Sequence, residues 1–208
     1  MVGIICTIGP ASFRKVRELK KAGMDIARLN FAYAKPEQLD LLKGIPIMAD
    51  VRKVNDLKRI PKKYRYAAIS FISGAKQLHE ARKLTKAKIV SKIETRQGMT
   101  NLRGIVEASD IVMVARGDLA DAVGLENIFA SQKKIIAECR RQKKPFIVAT
   151  GILETMREKR KPSRAEVCDA AYAVSEGAGW LMLADETAVG KHPVEATAWL
   201  KRIIGKVA

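Results

Sequence analysis

Two short segments, "SKIE" at Ser91–Glu94 and "VARGDL" at Val114–Leu119, carry the residue types that phosphate and metal chemistry need. Lys92 and Glu94 stand two residues apart, as do Arg116 and Asp118. On an extended strand, residues i and i+2 project from one face, so each segment offers a cation beside a carboxylate. Adjacent strands lie about 4.8 Å apart. Glu94 and Asp118, expected to end consecutive strands, could therefore converge on one hard cation. Magnesium takes one or two protein carboxylates and completes its shell with water and substrate oxygens. Lys92 and Arg116 are odd companions for a purely structural acid pair, and apt ones for a phosphate or carboxylate ligand. A charge-compensated polar layer is the bland alternative. Four alternating charges at this spacing favour a site, since perturbed ionisable groups cluster where chemistry is done.

The elements that must position these residues follow from the apolar pattern. Short β-branched runs alternate with amphipathic stretches along the whole chain. Strands are expected at Gly3–Gly9, Ile26–Phe31, Pro46–Val51, Ala67–Phe71, Ala87–Glu94, Ile111–Asp118, Pro145–Thr150 and Trp180–Asp185. Helical patterns cover Arg14–Ala22, Pro36–Lys43, Gly74–Leu84, Met99–Ala108, Asn127–Arg141, Arg164–Ser175 and Pro193–Ile204; Val54–Lys63, broken by Pro61, is the weakest. Such alternation implies a parallel sheet with helices outside it. Eight units in 208 residues leave 26 residues each, the size of a minimal strand–helix pair. An open doubly wound sheet would call for a glycine-rich phosphate loop, and neither G-x-G-x-x-G nor a Walker A pattern is present. The expected fold class is α/β, a minimal (β/α)8 TIM barrel, with residues 1–208 as a single domain.

Active sites of such barrels lie at the C-terminal ends of the strands, and those ends are polar here. Thr7 ends the first strand, Arg28 and Asn30 the second, Asp50 the third and Ser70 the fourth. Thr150 ends the seventh, and Asp185 and Glu186 the eighth.

The bulk properties narrow the classes of function. A formal charge of +17 attracts anions in general. The basic residues are dispersed and only 5% of residues are aromatic, so a solvated lysine surface explains the charge better than nucleic-acid binding. No apolar run is long enough for a membrane span and the start carries no signal-peptide pattern, so a cytoplasmic protein with no membrane partner is expected. Cys6, Cys139 and Cys168 lack metal-ligand spacing and read as buried or semi-buried thiols. His79 lies in a helical pattern and His192 at a helix start. With no strand-end histidine, triad-type nucleophilic hydrolysis is disfavoured.

Taken together, the longer motifs resemble the pyruvate kinase family. "CTIGPAS" (Cys6–Ser12) and "AGMDIARLNFA" (Ala22–Ala32) are similar to its opening barrel units. "SKIETRQGMTNL", "IVMVARGDLA", "PFIVATGILETM", "KPSRAEVCDAAYAV" and "LMLADETAVGKHPVEA" are similar to later units, in family order. The resemblance implies that Glu94 and Asp118 hold Mg2+ or Mn2+. It implies that Lys92 neutralises the transferring phosphoryl group and Arg28 contacts the phosphate. Backbone amides around Gly117 and Asp118 would receive the substrate carboxylate, and Thr150 would serve proton delivery between enolate and pyruvate. Asn30 and Asp50 would line a K+ site. The implied ligands are phosphoenolpyruvate or pyruvate with ADP or ATP, and the implied assembly is a homo-oligomer through the barrel helices.

Departures from the family pattern are equally specific. The third unit runs through "MADVRKVNDLKRIP" directly into the fourth, so the lid domain is expected to be absent, and so is the regulatory domain after the eighth unit. Asp50-Val51-Arg52-Lys53 stands where the family has D-T-K-G, and Ala32-Tyr33 replaces the serine and histidine after "LNF". Loss of that serine weakens the K+ site. Gly151 replaces a glutamine, and Ala184-Asp185 a serine-glycine pair. The expected activity is phosphoryl transfer between phosphoenolpyruvate and ADP, weakened by the missing lid. Two alternatives stand beside it: metal-dependent enolisation, decarboxylation or aldol-type cleavage of pyruvate or oxaloacetate, and a non-catalytic metabolite-binding barrel.

Overall fold

A computed structural model describes residues 2–31 and 42–207. Its eight strands are β1 (Gly3–Thr7), β2 (Ile26–Asn30), β3 (Ile47–Val51), β4 (Tyr66–Ile69), β5 (Lys88–Ile93), β6 (Ile111–Ala115), β7 (Phe146–Ala149) and β8 (Trp180–Leu183). They follow one another in chain order as a closed barrel, and β1 with β2, β8 with β1, β3 with β4, β4 with β5 and β5 with β6 pair in parallel. The expected (β/α)8 architecture is the observed one. Strands covered on both faces read as continuous apolar runs; β3, β6 and β7 are buried at every position.

The chain gathers into two compact units, one of residues 1–47 with 148–208 and one of residues 48–147. In the first, β8 closes on β1 with Gly3 opposite Trp180 and Cys6 opposite Leu183. Helices α1 (Val16–Ala22), α7 (Arg164–Ser175), α8 (Asp185–Ala188) and α9 (Pro193–Val207) belong to it. Helix α7 begins at a capping box: the Ser163 hydroxyl accepts from the Glu166 N–H, and the Glu166 carboxylate accepts from the Ser163 N–H. Helix α9 repeats Ala196, Leu200, Ile203 and Ile204 on its buried face, the i, i+4, i+7 spacing of an amphipathic helix.

In the second unit β3, β4, β5 and β6 pair in order. Around them lie α2 (Ala75–Leu84), α3 (Arg96–Thr100), α4 (Leu102–Ala108), α5 (Arg116–Val123) and α6 (Ile128–Arg141). Val54–Arg59 forms a 3-10 turn, a fitting outcome for the segment weakened by Pro61. The expected helix Met99–Ala108 is split at Asn101. The expected helix at Pro36–Lys43 lies mostly outside the described residues.

Three expectations need correcting. β6 ends at Ala115, and Arg116–Asp118 form the first turn of α5, so this pair is not displayed on a strand face. β8 likewise ends at Leu183, and Asp185 opens α8. Cys168 is exposed, although Cys6 and Cys139 are buried.

Candidate active site

The second unit buries a polar cluster at the ends of β3, β4 and β5. Lys92, on β5, is 8% exposed. Its neighbours in sequence face the other way: the Ser91 hydroxyl bonds to that of Ser109 at the end of α4. Lys92 therefore emerges on the opposite sheet face from the helices, and so does Glu94 two residues on. The Lys92 ammonium donates to the Ser70 hydroxyl at 2.9 Å. It also stands 2.9 Å from Glu94 Oε1 and 3.3 Å from Asp50 Oδ2. The Ser70 hydroxyl donates in turn to Asp50 at 3.4 Å. One ammonium thus meets two buried carboxylates, and burial makes each charge costly unless it is paired.

Glu94 is 2% exposed. Burial pushes its carboxyl above the usual value of 4.5, opposed by Lys92 and by the Phe71 N–H, while the Asp118 charge adds to the rise. Oε2 accepts from the Phe71 N–H at 2.8 Å. Oε1 faces the ammonium but receives no well-directed hydrogen bond. A buried carboxylate oxygen so placed fits a hard divalent cation. Among the described residues no three His, Cys, Asp or Glu side chains form a metal cage. Mg2+ typically takes only one or two protein carboxylates, so such a cage is not a requirement.

The local sequence explains why Glu94 is held there. Thr95 caps α3, its hydroxyl accepting from the Gly98 N–H at 2.9 Å. A Cβ on Gly98 would fall 2.8 Å from the Ile72 carbonyl, so glycine lets this turn close against the segment that follows β4. In that segment Phe71 adopts φ 55, a left-handed conformation uncommon for a bulky residue. It turns the Phe71 N–H toward Glu94. No pattern in the sequence announces this backbone donor, and sequence reasoning missed it.

Asp118 is exposed at the third position of α5, with Gly117 before it. The first N–H groups of a helix have no intrahelical acceptor and favour anions. Gly117 and Asp118 therefore present free-standing donors next to the acidic side chain. Arg116, half-buried, opens the same turn.

The strand ends of the first unit carry the other expected residues. Thr7 and Arg28 are register partners on β1 and β2; the Arg28 guanidinium donates to the Thr7 hydroxyl at 3.3 Å, and that hydroxyl donates to the Leu183 carbonyl at 3.0 Å. Asn30 ends β2, half-buried. Thr150 follows β7 with φ 72, and Gly151 follows with φ 68; a β-branched residue there is strained, a state that clusters at functional sites. Glu186 is fully buried, and its oxygens accept from the Leu153 N–H at 3.0 Å and the Ala184 N–H at 2.7 Å. It ties the segment after β7 to the start of α8.

The family model for the pyruvate kinase barrel domain matches residues 45–197. The chain belongs to the pyruvate kinase family. The pyruvate kinase of Encephalitozoon cuniculi is 44% identical over 136 residues, covering 64% of this chain and 32% of that protein. That of Agrobacterium vitis is 43% identical over 143 residues, covering 68% and 30%. That of Methanocaldococcus jannaschii is 38% identical over 169 residues, covering 79% and 38%. The chain thus spans about a third of the length of the pyruvate kinases it matches. Among its described residues no helix is long and apolar enough to cross a membrane.

Proposed function

We propose that this barrel carries out pyruvate kinase-like phosphoryl transfer between phosphoenolpyruvate and ADP. The observation that carries this reading is Glu94: buried, short of a directed partner on one oxygen, and within electrostatic reach of Asp118. Glu94 and Asp118 would hold Mg2+ or Mn2+. When bound, the cation supplies charge stabilisation to an enolate and a phosphoryl oxygen. Lys92, already shared among three oxygen acceptors, neutralises the charge that develops on the transferring phosphoryl group. The Gly117 and Asp118 amides hold the substrate carboxylate.

Arg28 and Thr150 belong to the other compact unit, and their roles rest on the family resemblance. Arg28 binds the phosphate, and Thr150 handles the proton at the enolate carbon. Asp50 enters the reading differently from the family pattern. Lys92 and Ser70 both engage it, so an ammonium already meets part of the charge that K+ would balance with Asn30. The carboxylate of Asp50 then also serves to aim Lys92.

A coupled assay with phosphoenolpyruvate, ADP and Mg2+ tests the proposal. Pyruvate formation that is lost in Glu94→Gln upholds it, and no pyruvate above that variant rules it out. The short β3–β4 connection favours slow turnover, because nothing in it is long enough to exclude water from the transferring group. For the same reason the enolisation step is expected to survive best, seen as metal-dependent proton exchange at C3 of pyruvate without nucleotide.

A further inference from the structure

On the helix side of the residue 48–147 unit, α3, α4 and α6 line a cavity of about 360 Å³. This lies near the lower end of the roughly 300–1,000 Å³ of small-molecule sites. None of its lining residues takes part in the proposed reaction. Bonds from the chain that follows α6 fix α4 against it. The Gln142 amide donates to the Arg103 carbonyl at 2.9 Å, and the Lys144 ammonium donates to the Glu107 and Ser109 carbonyls at 2.9 and 2.7 Å. The space between the helices is therefore preformed.

The lining has two characters. Met99, Leu102 and Ala137 supply apolar surface, and Arg103, Lys134, Glu138 and Arg141 supply charge. Arg141 is committed to Glu138, its Nε 3.0 Å and its Nη2 2.5 Å from the two carboxylate oxygens. The Gln142 amide donates to Glu138 as well. Among the described residues neither Arg103 nor Lys134 makes an ion pair. Two spare cations beside apolar surface in one concavity call for a ligand with both characters. A phosphate ion would leave the apolar side uncovered, and a plain hydrocarbon would leave the cations bare. We infer that this cavity binds a carboxylic acid with a compact apolar body, its carboxylate on Arg103 and Lys134 and its hydrocarbon against Met99, Leu102 and Ala137. A guanidinium takes a carboxylate through two parallel hydrogen bonds, and an ammonium adds a point charge beside it. The inference goes beyond the proposed reaction and does not depend on it, since Lys92, Glu94 and Asp118 lie outside the cavity lining.

The test is calorimetric titration of the whole chain with octanoate, acetate and inorganic phosphate at about 0.15 M salt, without divalent cation. One site variant, Arg103→Gln/Lys134→Gln, removes the two spare charges. A second, Ala137→Phe, fills the apolar side and leaves the charges in place. The control variant, Lys86→Gln/Lys133→Gln, removes two exposed charges that do not line the cavity. Octanoate is expected to bind the wild type at one site, with affinity lowered roughly tenfold or more in each site variant and hardly changed in the control. Acetate, which has the charge without the body, and phosphate should bind roughly tenfold more weakly than octanoate, or less tightly still. Equal loss in the charge variant and the control shows only a general positive field and overturns the inference. Unchanged octanoate binding in Ala137→Phe places the acid elsewhere and also overturns it. The same holds for acetate or phosphate binding as tightly as octanoate, and for no saturable octanoate binding at all. Every substituted position is exposed, and circular dichroism of the variants checks that their folds are intact.

Discussion

Glu94 and Glu186 are two buried glutamates just beyond the ends of parallel strands, and burial raises the carboxyl of each above its ordinary value. Their oxygens are used differently. Glu186 spends both on backbone N–H groups, of Leu153 and Ala184. Glu94 spends one on the Phe71 N–H and leaves the other facing an ammonium without a directed hydrogen bond. The first is a staple that joins two segments of backbone. The second is a carboxylate that can still bind something. Burial and pKa do not separate the two; the acceptor capacity left over does.

The comparison is most exposed to disproof at Lys92. Lys92→Met leaves Asp50 and Glu94 buried together without their shared cation, and breaking such a group costs about 3–5 kcal/mol. For a chain of this size that lowers Tm by roughly 6–20 °C, read by a thermal melt with and without Mg2+. The ion should restore part of the loss.

The same chemical change at the two glutamates should then differ in what it removes. In Glu186→Gln the new amide group must face one of the two backbone N–H donors, which leaves it unsatisfied at a cost of about 1–3 kcal/mol. In Glu94→Gln the amide group faces the Lys92 ammonium or the Phe71 N–H, and the buried cluster is relieved of one negative charge, which offsets part of that cost. The loss of stability in denaturant titration should be smaller than at Glu186, while activity disappears. A loss of stability at Glu94 equal to that at Glu186 would erase the distinction.

The pH dependence sharpens it. The Glu186 carboxyl titrates higher in the folded chain than in the unfolded one, so the folded state binds the extra proton. Its contribution is fully present below pH 4.5 and is lost as pH rises through the raised value. The denaturation midpoint of the wild type, measured against that of Glu186→Gln, should therefore fall as pH rises from 4.5 through the raised value. The half-buried Glu138 behaves in the reverse sense. Its hydrogen bond from Arg141, helped by Gln142, holds its carboxyl down at about 2. Its contribution is present above 4.5 and lost as pH falls toward 2. Solvent screening keeps it small, so Glu138→Gln should barely move the midpoint at neutral pH.

Much of the barrel was legible because fully buried parallel strands leave unbroken apolar runs, and amphipathic helices separate them. Lys92 and Glu94 were legible for the same reason: Ile93 between them fixes the strand and its alternation. The reading failed at Arg116–Asp118. The apolar run ends at Ala115, and an acid at the third helical position with Leu119 and Val123 four residues apart are marks of a helix start. The alternation of a strand stops at Ala115, one helical turn short of Asp118. Phe71 could not be found at all, since it acts through its main-chain N–H in a left-handed conformation that its side chain does not favour. Nor does the sequence separate Glu94 from Glu186, since the difference lies in which amides the folded chain brings to each.

The most direct measurement is Mn2+ binding to the whole chain, followed by electron paramagnetic resonance of the free ion, in wild type and Glu94→Gln. A single Mn2+ site in the wild type that disappears in the variant, with the variant still folding cooperatively, is the predicted result. Equal Mn2+ affinity in the two proteins would contradict the assignment of Glu94 as a metal ligand.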